Sequence, residues 1–332
     1  MYRQARIAVL VPAYNEGSQI AGVVAALPDF VDHVVVVNDA STDNTGEVLD
    51  ALAADDSRLT VIHLEQNRGV GGALAEAYAW AREGPVDIAV TVDGDGQMNP
   101  GDMWRLLDPI VEGRVDFTKG NRFTTREDLQ RIPKVRLIGN VALSLATKIA
   151  TGYWSLADSQ SGYSAAGRAV LDEVPWDRVF ARYGRPNDVM WHVSMAGARA
   201  ADVPISAVYG VGERSTMKIL RTSFAISWLL WRRFWQRMFV KHVLIDFHPM
   251  VFLYAIATLA GLASLALFPW VLFGFLDDGQ FPKLASNALI VSVATSLNGI
   301  FLAFFMDLHA HRHVSLPLQL PTGHRMRPGP GR

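Results

Sequence analysis

Two long apolar runs constrain this chain more than any other feature. Met250–Leu276 covers 27 residues without a charged side chain, and Leu284–Met306 covers 23. At about 1.5 Å per helical residue, each can cross a hydrocarbon core of ~30 Å. The link Asp277–Lys283 is short, so the two runs are expected to form a membrane hairpin. The tail after Asp307 carries Arg312, Arg325, Arg327 and Arg332, and the stretch before Met250 is also basic. Basic flanks at both outer ends favour a cytosolic position for both termini. The residues before the first apolar strand pattern, Met1–Arg6, do not read as a signal peptide, so the preceding region is expected to stay in the cytosol. A cell-membrane protein with its N-terminal region facing the cytosol is the resulting expectation.

The stretch from Arg214 to Lys241 holds seven Lys/Arg and no Asp/Glu, interleaved with Phe224, Trp228, Trp231, Phe234, Trp235 and Phe239. A basic, Trp-rich amphipathic segment suits the surface of an anionic membrane. His242 and His248 border the membrane in this reading, and the alternating His309, His311 and His313 read as an interfacial tail rather than a metal site. Asn287 and Asn298 lie inside the second apolar run, and polar side chains in hydrocarbon usually face another helix. The small residues around Gly261–Ala266 offer close approach, so a homo-oligomer is expected.

The first part of the chain has a different grammar. Strand-like runs at Ile7–Val11, His33–Asn38, Leu59–Leu64, Val86–Asp93 and Val115–Lys119 alternate with helix-like runs at Ile20–Leu27, Thr45–Ala54, Gly71–Glu83 and Asp102–Glu112. That alternation predicts a mostly parallel sheet covered on both faces, with ligands beyond the carboxyl ends of the strands. Polar clusters fall at those ends: Pro12–Gly17, Asp39–Asn44, Asn67–Gly72 and Asp93–Gln97. The net charge of −1 gives no reason to expect nucleic acid, and the absence of cysteine excludes disulfides and thiolate sites.

The strongest chemical signal is Asp93-Gly94-Asp95-Gly96-Gln97, closing the fourth strand. Two carboxylates two residues apart can share a hard divalent cation, Mg²⁺ or Mn²⁺, that leaves positions open for diphosphate oxygens. Gly69-Val70-Gly71-Gly72-Ala73-Leu74 only partly matches a dinucleotide fingerprint: Leu74 stands at the third glycine, and the run follows the third strand. A dehydrogenase is therefore rejected.

Three clusters in combination, VPAYNE (Val11–Glu16), NDASTDNT (Asn38–Thr45) and DGDGQ, resemble glycosyltransferase family two with its GT-A fold. GNRF (Gly120–Phe123), DSQSGY (Asp158–Tyr163) and VYGVGERSTMK (Val208–Lys218) are similar to its polyprenyl-phosphate branch, which includes dolichol-phosphate mannose and polyprenyl-phosphate glucose synthases. The resemblance implies an α/β GT-A domain over about residues 1–210, a juxtamembrane region over 211–248, two membrane helices over 249–308 and a cytosolic tail over 309–332. It implies that Asp39 reads the nucleobase, that Pro12, Tyr14, Asn15 and Glu16 line the nucleotide, and that Gly69 and Gly71 bring backbone N–H groups toward the donor. Asp93, Asp95 and Gln97 would hold the metal and diphosphate, and Gln160 would touch the sugar. Asp158 would orient a sugar hydroxyl or act as a base.

The acceptor governs the rest. A hydroxyl needs a general base. A phosphate monoester, with a second pKa of about 6, does not; it needs cations. The chain supplies Arg122, Lys134, Arg136 and Asn140, then Arg214 and Lys218 before the basic segment. Arg122, Arg136 and Asn140 align with phosphate-binding positions of the family, although the family often has Ser where this chain has Asn140. Expected partners are a UDP- or GDP-sugar, an undecaprenyl or dolichyl phosphate, the bilayer, and further copies of the chain, four in related anchored synthases. The rivals are a polysaccharide or glycolipid synthase using a hydroxyl acceptor, for which no Q-x-x-R-W run is present, and a non-catalytic membrane scaffold.

Overall fold

A computed structural model of the chain describes residues 1–123, 134–182, 184–206, 219–314 and 316; for 134–138, 219–221 and 278 it describes the helical backbone only. The chain divides into two compact units, Met1–Trp231 with His313–Arg332, and Arg232–Arg312.

In the first unit the elements run β1 (Ile7–Ala13), α1 (Ile20–Ala25), β2 (His33–Asn38), α2 (Thr45–Asp55), β3 (Leu59–His63), α3 (Gly69–Glu83), β4 (Ile88–Thr91), α4 (Met103–Val111), β5 (Phe117–Asn121), α5 (Lys134–Thr151), β6 (Ser164–Gly167), α6 (Arg168–Glu173), α7 (Arg185–Met195) and β7 (Ala200–Pro204). They build a seven-stranded sheet in the order β3-β2-β1-β4-β6-β5-β7. Every neighbouring pair is parallel except those of β6, which runs antiparallel between β4 and β5. The carboxyl ends of β1, β2 and β4 therefore open on one edge, as the strand–helix alternation predicts.

Strand periodicity explains the layers. Ala8, Leu10, Val35 and Val37 face Ala73, Leu74, Ala77 and Tyr78 of α3, whereas Ile7, Val9, Val11, Val34 and Val36 face α1, Leu49 of α2 and Met103, Leu106 and Leu107 of α4. Successive residues of a strand point to opposite faces, so runs such as VVVV are buried twice over and mark central strands. Pro12 is tolerated in β1 because the ladder with β4 ends at Leu10↔Thr91, so no bond is lost on that side.

β6 and β7 escape the sequence reading. Ser164–Gly167 has no β-branched residue, and its strand character comes from the partners on both sides. The chain returns after the second unit to cap β7: Ala200 N–H donates to Val314 O at 2.8 Å, and Leu316 N–H to Ala200 O at 3.0 Å.

Helix α8 (Ile219–Phe239) begins in the first unit and ends in the second. Within the first unit it exposes Phe224, Trp228 and Trp231, the two indoles stacked at 4.8 Å. In the second unit it is followed by a π-helical turn (Val240–Ile245), α9 (Met250–Asp278) and α10 (Lys283–Ala310). Both last helices are long and apolar enough to cross a membrane. α9 stops on Gly279, whose φ of +66° is the left-handed conformation that ends helices. The pair packs through small residues: a Cβ on Gly299 would fall 2.9 Å from Ala257 Cβ, Ser264 Oγ meets Ser292 Oγ at 2.8 Å, and Ser296 Oγ donates to Ala257 O at 2.9 Å. The residues around Gly261 are thus used within the chain. Asn287 and Asn298 lie exposed on the outside of α10.

Candidate active site

The loops after β1 and β2 are stitched to each other. Asn15 N–H donates to Ser41 Oγ at 3.0 Å, Thr42 N–H to Asn15 Oδ1 at 2.8 Å, and Glu16 N–H to Thr45 Oγ1 at 2.9 Å. Asn15 and Ala40 have φ of 59° and 55°. For Ala40 that conformation is strained, and such strain concentrates at ligand-binding edges. Asp39 is buried and ties the third loop in, accepting from Arg68 N–H at 2.7 Å. Tyr14 is exposed at this rim, whereas Pro12 is buried within β1. Gly69 has φ of +75° where α3 begins. The Gly71 N–H donates to Ala181 O at 2.9 Å, and a Cβ there would fall 2.4 Å from Ala181 Cα, so backbone packing requires this glycine.

The carboxylate turn follows β4. Gly94 lies against the end of β1, where a Cβ would fall 3.0 Å from Pro12 O. Gly96 takes φ of +72°, which lets the Gln97 N–H donate to Asp95 Oδ1 at 3.0 Å. Burial, then the neighbouring Asp95, pushes the Asp93 carboxyl up to about 6, against the pull of Arg185, Arg122 and Lys119. Glu16 is raised by burial, then by Asp95, Asp43 and Asp93. Glu16, Asp43, Asp93 and Asp95, from the ends of three neighbouring strands, thus share one edge of the sheet with their mutual repulsion only partly offset. An oxygen donor set with excess negative charge fits a hard divalent cation.

The opposite wall comes from the end of β5 and the loop 157–162. Arg122 forks onto Asp158: Nε donates to Oδ2 at 2.7 Å, Nη2 to Oδ1 at 3.1 Å, and the Arg122 N–H to Oδ2 at 3.2 Å. Asp158 is 0% exposed. Burial alone would raise its pKa, but the Arg122 bonds and charge, with Lys119, hold the carboxyl below the usual range. Gln160 N–H donates to Asp158 Oδ1 at 3.2 Å. Gly162 brings this loop against the carboxylate turn, with a Cβ there 3.0 Å from Asp93 Oδ2.

Three charged residues here carry no motif in the sequence. Lys119, buried in β5, donates through Nζ to the Ser161 carbonyl. Burial lowers its pKa, against the attraction of Asp158 and Asp202. Asp202 of β7 accepts from Asn121 Nδ2 at 3.1 Å, and its own pKa is raised, chiefly by burial. Arg185, at the start of α7, is buried with its guanidinium 5.7 Å from the Tyr78 ring centroid and its Nε without a hydrogen-bond partner. Lys119 closes a mixed run, Val-Asp-Phe-Thr-Lys, so the sequence carried no signal that it is buried. Among the expected acceptor residues, Asn140 is half-buried on α5. Lys134 and Arg136 stand at the start of α5 with side chains outside the described residues, where Arg214 and Lys218 also lie.

Comparison with known proteins agrees with this arrangement. The chain is 30% identical over 216 residues to the UDP-N-acetylglucosamine–dolichyl-phosphate N-acetylglucosaminyltransferase of Methanococcus voltae, covering 61% of this chain and 86% of that protein. It is 31% identical over 206 residues to the undecaprenyl-phosphate mannosyltransferase of Micrococcus luteus, covering 61% and 84%. It is 29% identical over 231 residues to the polyprenol monophosphomannose synthase of Mycolicibacterium smegmatis, covering 67% and 86%. Among solved structures, the glucosyl-3-phosphoglycerate synthase of Mycobacterium tuberculosis with Mn²⁺, UDP and glucosyl-3-phosphoglycerate superimposes with a TM-score of 0.53 at 22% identity, over 69% of this chain and 80% of that one, which is a likeness of fold. The glycosyl transferase family 2 model matches residues 8–174. With the GT-A sheet, the stitched loops and the carboxylate turn in place, the chain belongs to glycosyltransferase family 2.

Proposed function

We propose that this protein transfers a single hexose or N-acetylhexosamine, with inversion, from a UDP- or GDP-sugar to a polyprenyl phosphate at the cytosolic face of the cell membrane. The observation that carries the reading is the Arg122–Asp158 pair. A carboxylate held ionised in a buried bidentate pair is a weak general base, so the acceptor must bring its own nucleophilic charge. A lipid phosphate, largely dianionic at neutral pH, does so. The named relatives above act on dolichyl, undecaprenyl and polyprenol phosphates, which supports the same acceptor class here.

In this reading Asp39 accepts from the nucleobase, with Tyr14, Pro12, Asn15 and Glu16 around base and ribose. Asp93, Asp95 and Gln97 hold Mg²⁺ or Mn²⁺, which when bound neutralises the leaving diphosphate. Gln160 contacts the sugar, and Asp158 orients a sugar hydroxyl while Arg122 fixes its position. Arg136, Lys134, Asn140, Arg214 and Lys218 clasp the lipid phosphate in line with the anomeric carbon, where positioning and charge supply the rate. The head group cannot leave the interface cheaply, since each exposed prenyl CH₂ costs about 0.8 kcal/mol. Residues 1–210 form the catalytic domain, 211–248 dock it on the membrane, α9 and α10 anchor it, and 309–332 form a cytosolic tail. Both outer ends of the hairpin lead into the same globular unit, which supports cytosolic termini. The exposed Asn287 and Asn298 support a homo-oligomer, a tetramer as in related anchored synthases.

The test is a matrix of radiolabelled UDP- and GDP-sugars against nanodiscs holding undecaprenyl or dolichyl phosphate. Label in lipid, with nucleoside diphosphate released only when the lipid phosphate is present, is the expected result. Label on a hydroxyl glycolipid with no polyprenyl phosphate present would overturn the acceptor, and no transfer from any donor would favour a scaffold.

A further inference from the structure

One buried cluster lies outside the transferase chemistry. In the unit Arg232–Arg312, His242 of the π-helical turn and Asp307 and His311 at the end of α10 are all buried, and one ligand atom from each lies within 4.8 Å of the others. The expectation of an interfacial histidine tail does not hold for His311, which is 3% exposed. Arg237 of α8 closes the group, its Nη1 donating to Asp307 Oδ1 at 2.9 Å and its Nη2 to Oδ2 at 3.0 Å.

Two features ask for a further ligand. His242 is 2% exposed, yet neither ring nitrogen makes a hydrogen bond. A buried polar atom left unpaired is costly, so such a ring is stabilised by any partner that reaches it. His311 is already oriented: its Nδ1 lies 3.0 Å from the Asp307 carbonyl and 3.1 Å from Asp307 Oδ1, so Nδ1 carries the proton and Nε2 the lone pair. A carboxylate behind an imidazole is the usual outer layer of a metal-bound histidine. His242 has a longer version of it, with Nδ1 3.8 Å from Asp246 Oδ2. The two rings stand 5.5 Å apart at 89°, a separation one ion can bridge with a small ring movement.

The competing cation is Arg237, whose Nη1 is 3.4 Å from His311 Nε2. Its charge is balanced by Asp307 through the two-pronged contact. An incoming ion therefore meets two neutral imidazoles and a neutral ion pair. That environment disfavours Mg²⁺ and Ca²⁺, which need oxygen-rich anionic sites, and favours ions that accept nitrogen ligands.

We propose that His242 and His311, the latter oriented by Asp307, bind a divalent transition-metal ion of the Zn²⁺ class that pins the turn preceding α9 to the end of α10. It differs from the Asp93–Asp95 site in donor chemistry, nitrogen here against oxygen there, and does not depend on that assignment. The test uses full-length protein without a histidine tag, in nanodiscs, titrated with Co²⁺ as a spectroscopic probe and with Zn²⁺ by calorimetry. The expected result is one ion per chain with visible bands of mixed nitrogen–oxygen coordination and a zinc-dependent rise in denaturation temperature. His242→Gln and His311→Gln should each weaken binding ~10-fold or more, while the double variant His309→Ala/His313→Ala keeps it. Two results would overturn the site: no saturable nitrogen-ligated binding in the wild type, which needs no variant to fold, or binding that survives His242→Gln and disappears in the tail double variant.

Discussion

At the scale of single residues, the site trades stability for charge placement. Asp93 has its pKa raised to about 6 by burial and by Asp95. An acid raised in the folded state stabilises below its unfolded pKa of about 3.9 and loses that contribution as pH climbs through the folded value. Ionised Asp93 therefore costs stability at neutral pH whenever no cation is bound. Asp93→Asn should raise the denaturation temperature of cation-free protein by a few degrees above pH ~6, with no gain near pH 4, and abolish transfer; calorimetric melts across pH check it. Asp158 has the opposite sign. Its pKa is depressed because the Arg122 pair overrides burial, so its stabilisation is present above about pH 3.9 and is lost only as pH falls through the lower folded value. Arg122→Ala leaves a fully buried carboxylate without its fork and should cost about 3–5 kcal/mol at pH 7. The deficit should shrink on acidification, because without Arg122 burial raises the Asp158 pKa, and the protonated carboxyl no longer needs the partner. Denaturant melts at pH 7 and pH 5 would show it, and an equal deficit at both would contradict the account.

At the scale of elements, the informative contact is between α9 and α10. If the pair spans a bilayer as proposed, lipid tails are as apolar as the helices themselves, so close packing of small residues and a few hydroxyl bonds would hold them. Ala257, Ser264, Ser292, Ser296 and Gly299 supply both. Gly299→Leu inserts a branched side chain where even a Cβ would stand 2.9 Å from Ala257 Cβ. The variant should still enter membranes, since its hydrophobicity rises, but should lose thermal stability in mild detergent, with a fall of several degrees read by size-exclusion after heating. Unchanged stability would mean that the hairpin is not held through this face.

At the scale of the whole molecule, the two proposed divalent-ion sites differ in donor type. Chelation with excess EDTA should abolish transfer, and Mg²⁺ or Mn²⁺ alone should restore it, because the acidic strand end offers only oxygen. Zn²⁺ alone should not restore activity, although it should recover the denaturation temperature through the histidine cluster. Transfer assays and melts on the same stripped sample read the two effects separately, and full activity in EDTA would contradict the role given to Asp93 and Asp95.

The sequence by itself determined those parts whose signal is local. Runs such as Val34–Val37 can be buried only as a central strand, two charge-free runs can satisfy their backbone in lipid only as helices, and Asp93-Gly94-Asp95 places its carboxylates together within one turn. Tertiary structure alone decided the rest, because it depends on partners far along the chain. Lys119 reads like any strand-end lysine until Ser161 and Asp202 close on it, Arg185 like any helix-start arginine until Tyr78 packs on it, and Ser164–Gly167 becomes a strand only between β4 and β5. His311 and His242 are ordinary basic-region histidines until α10 brings them together. A residue's letter states which bonds it can make. Whether it keeps them with water or must make them with protein is set by which distant segment buries it.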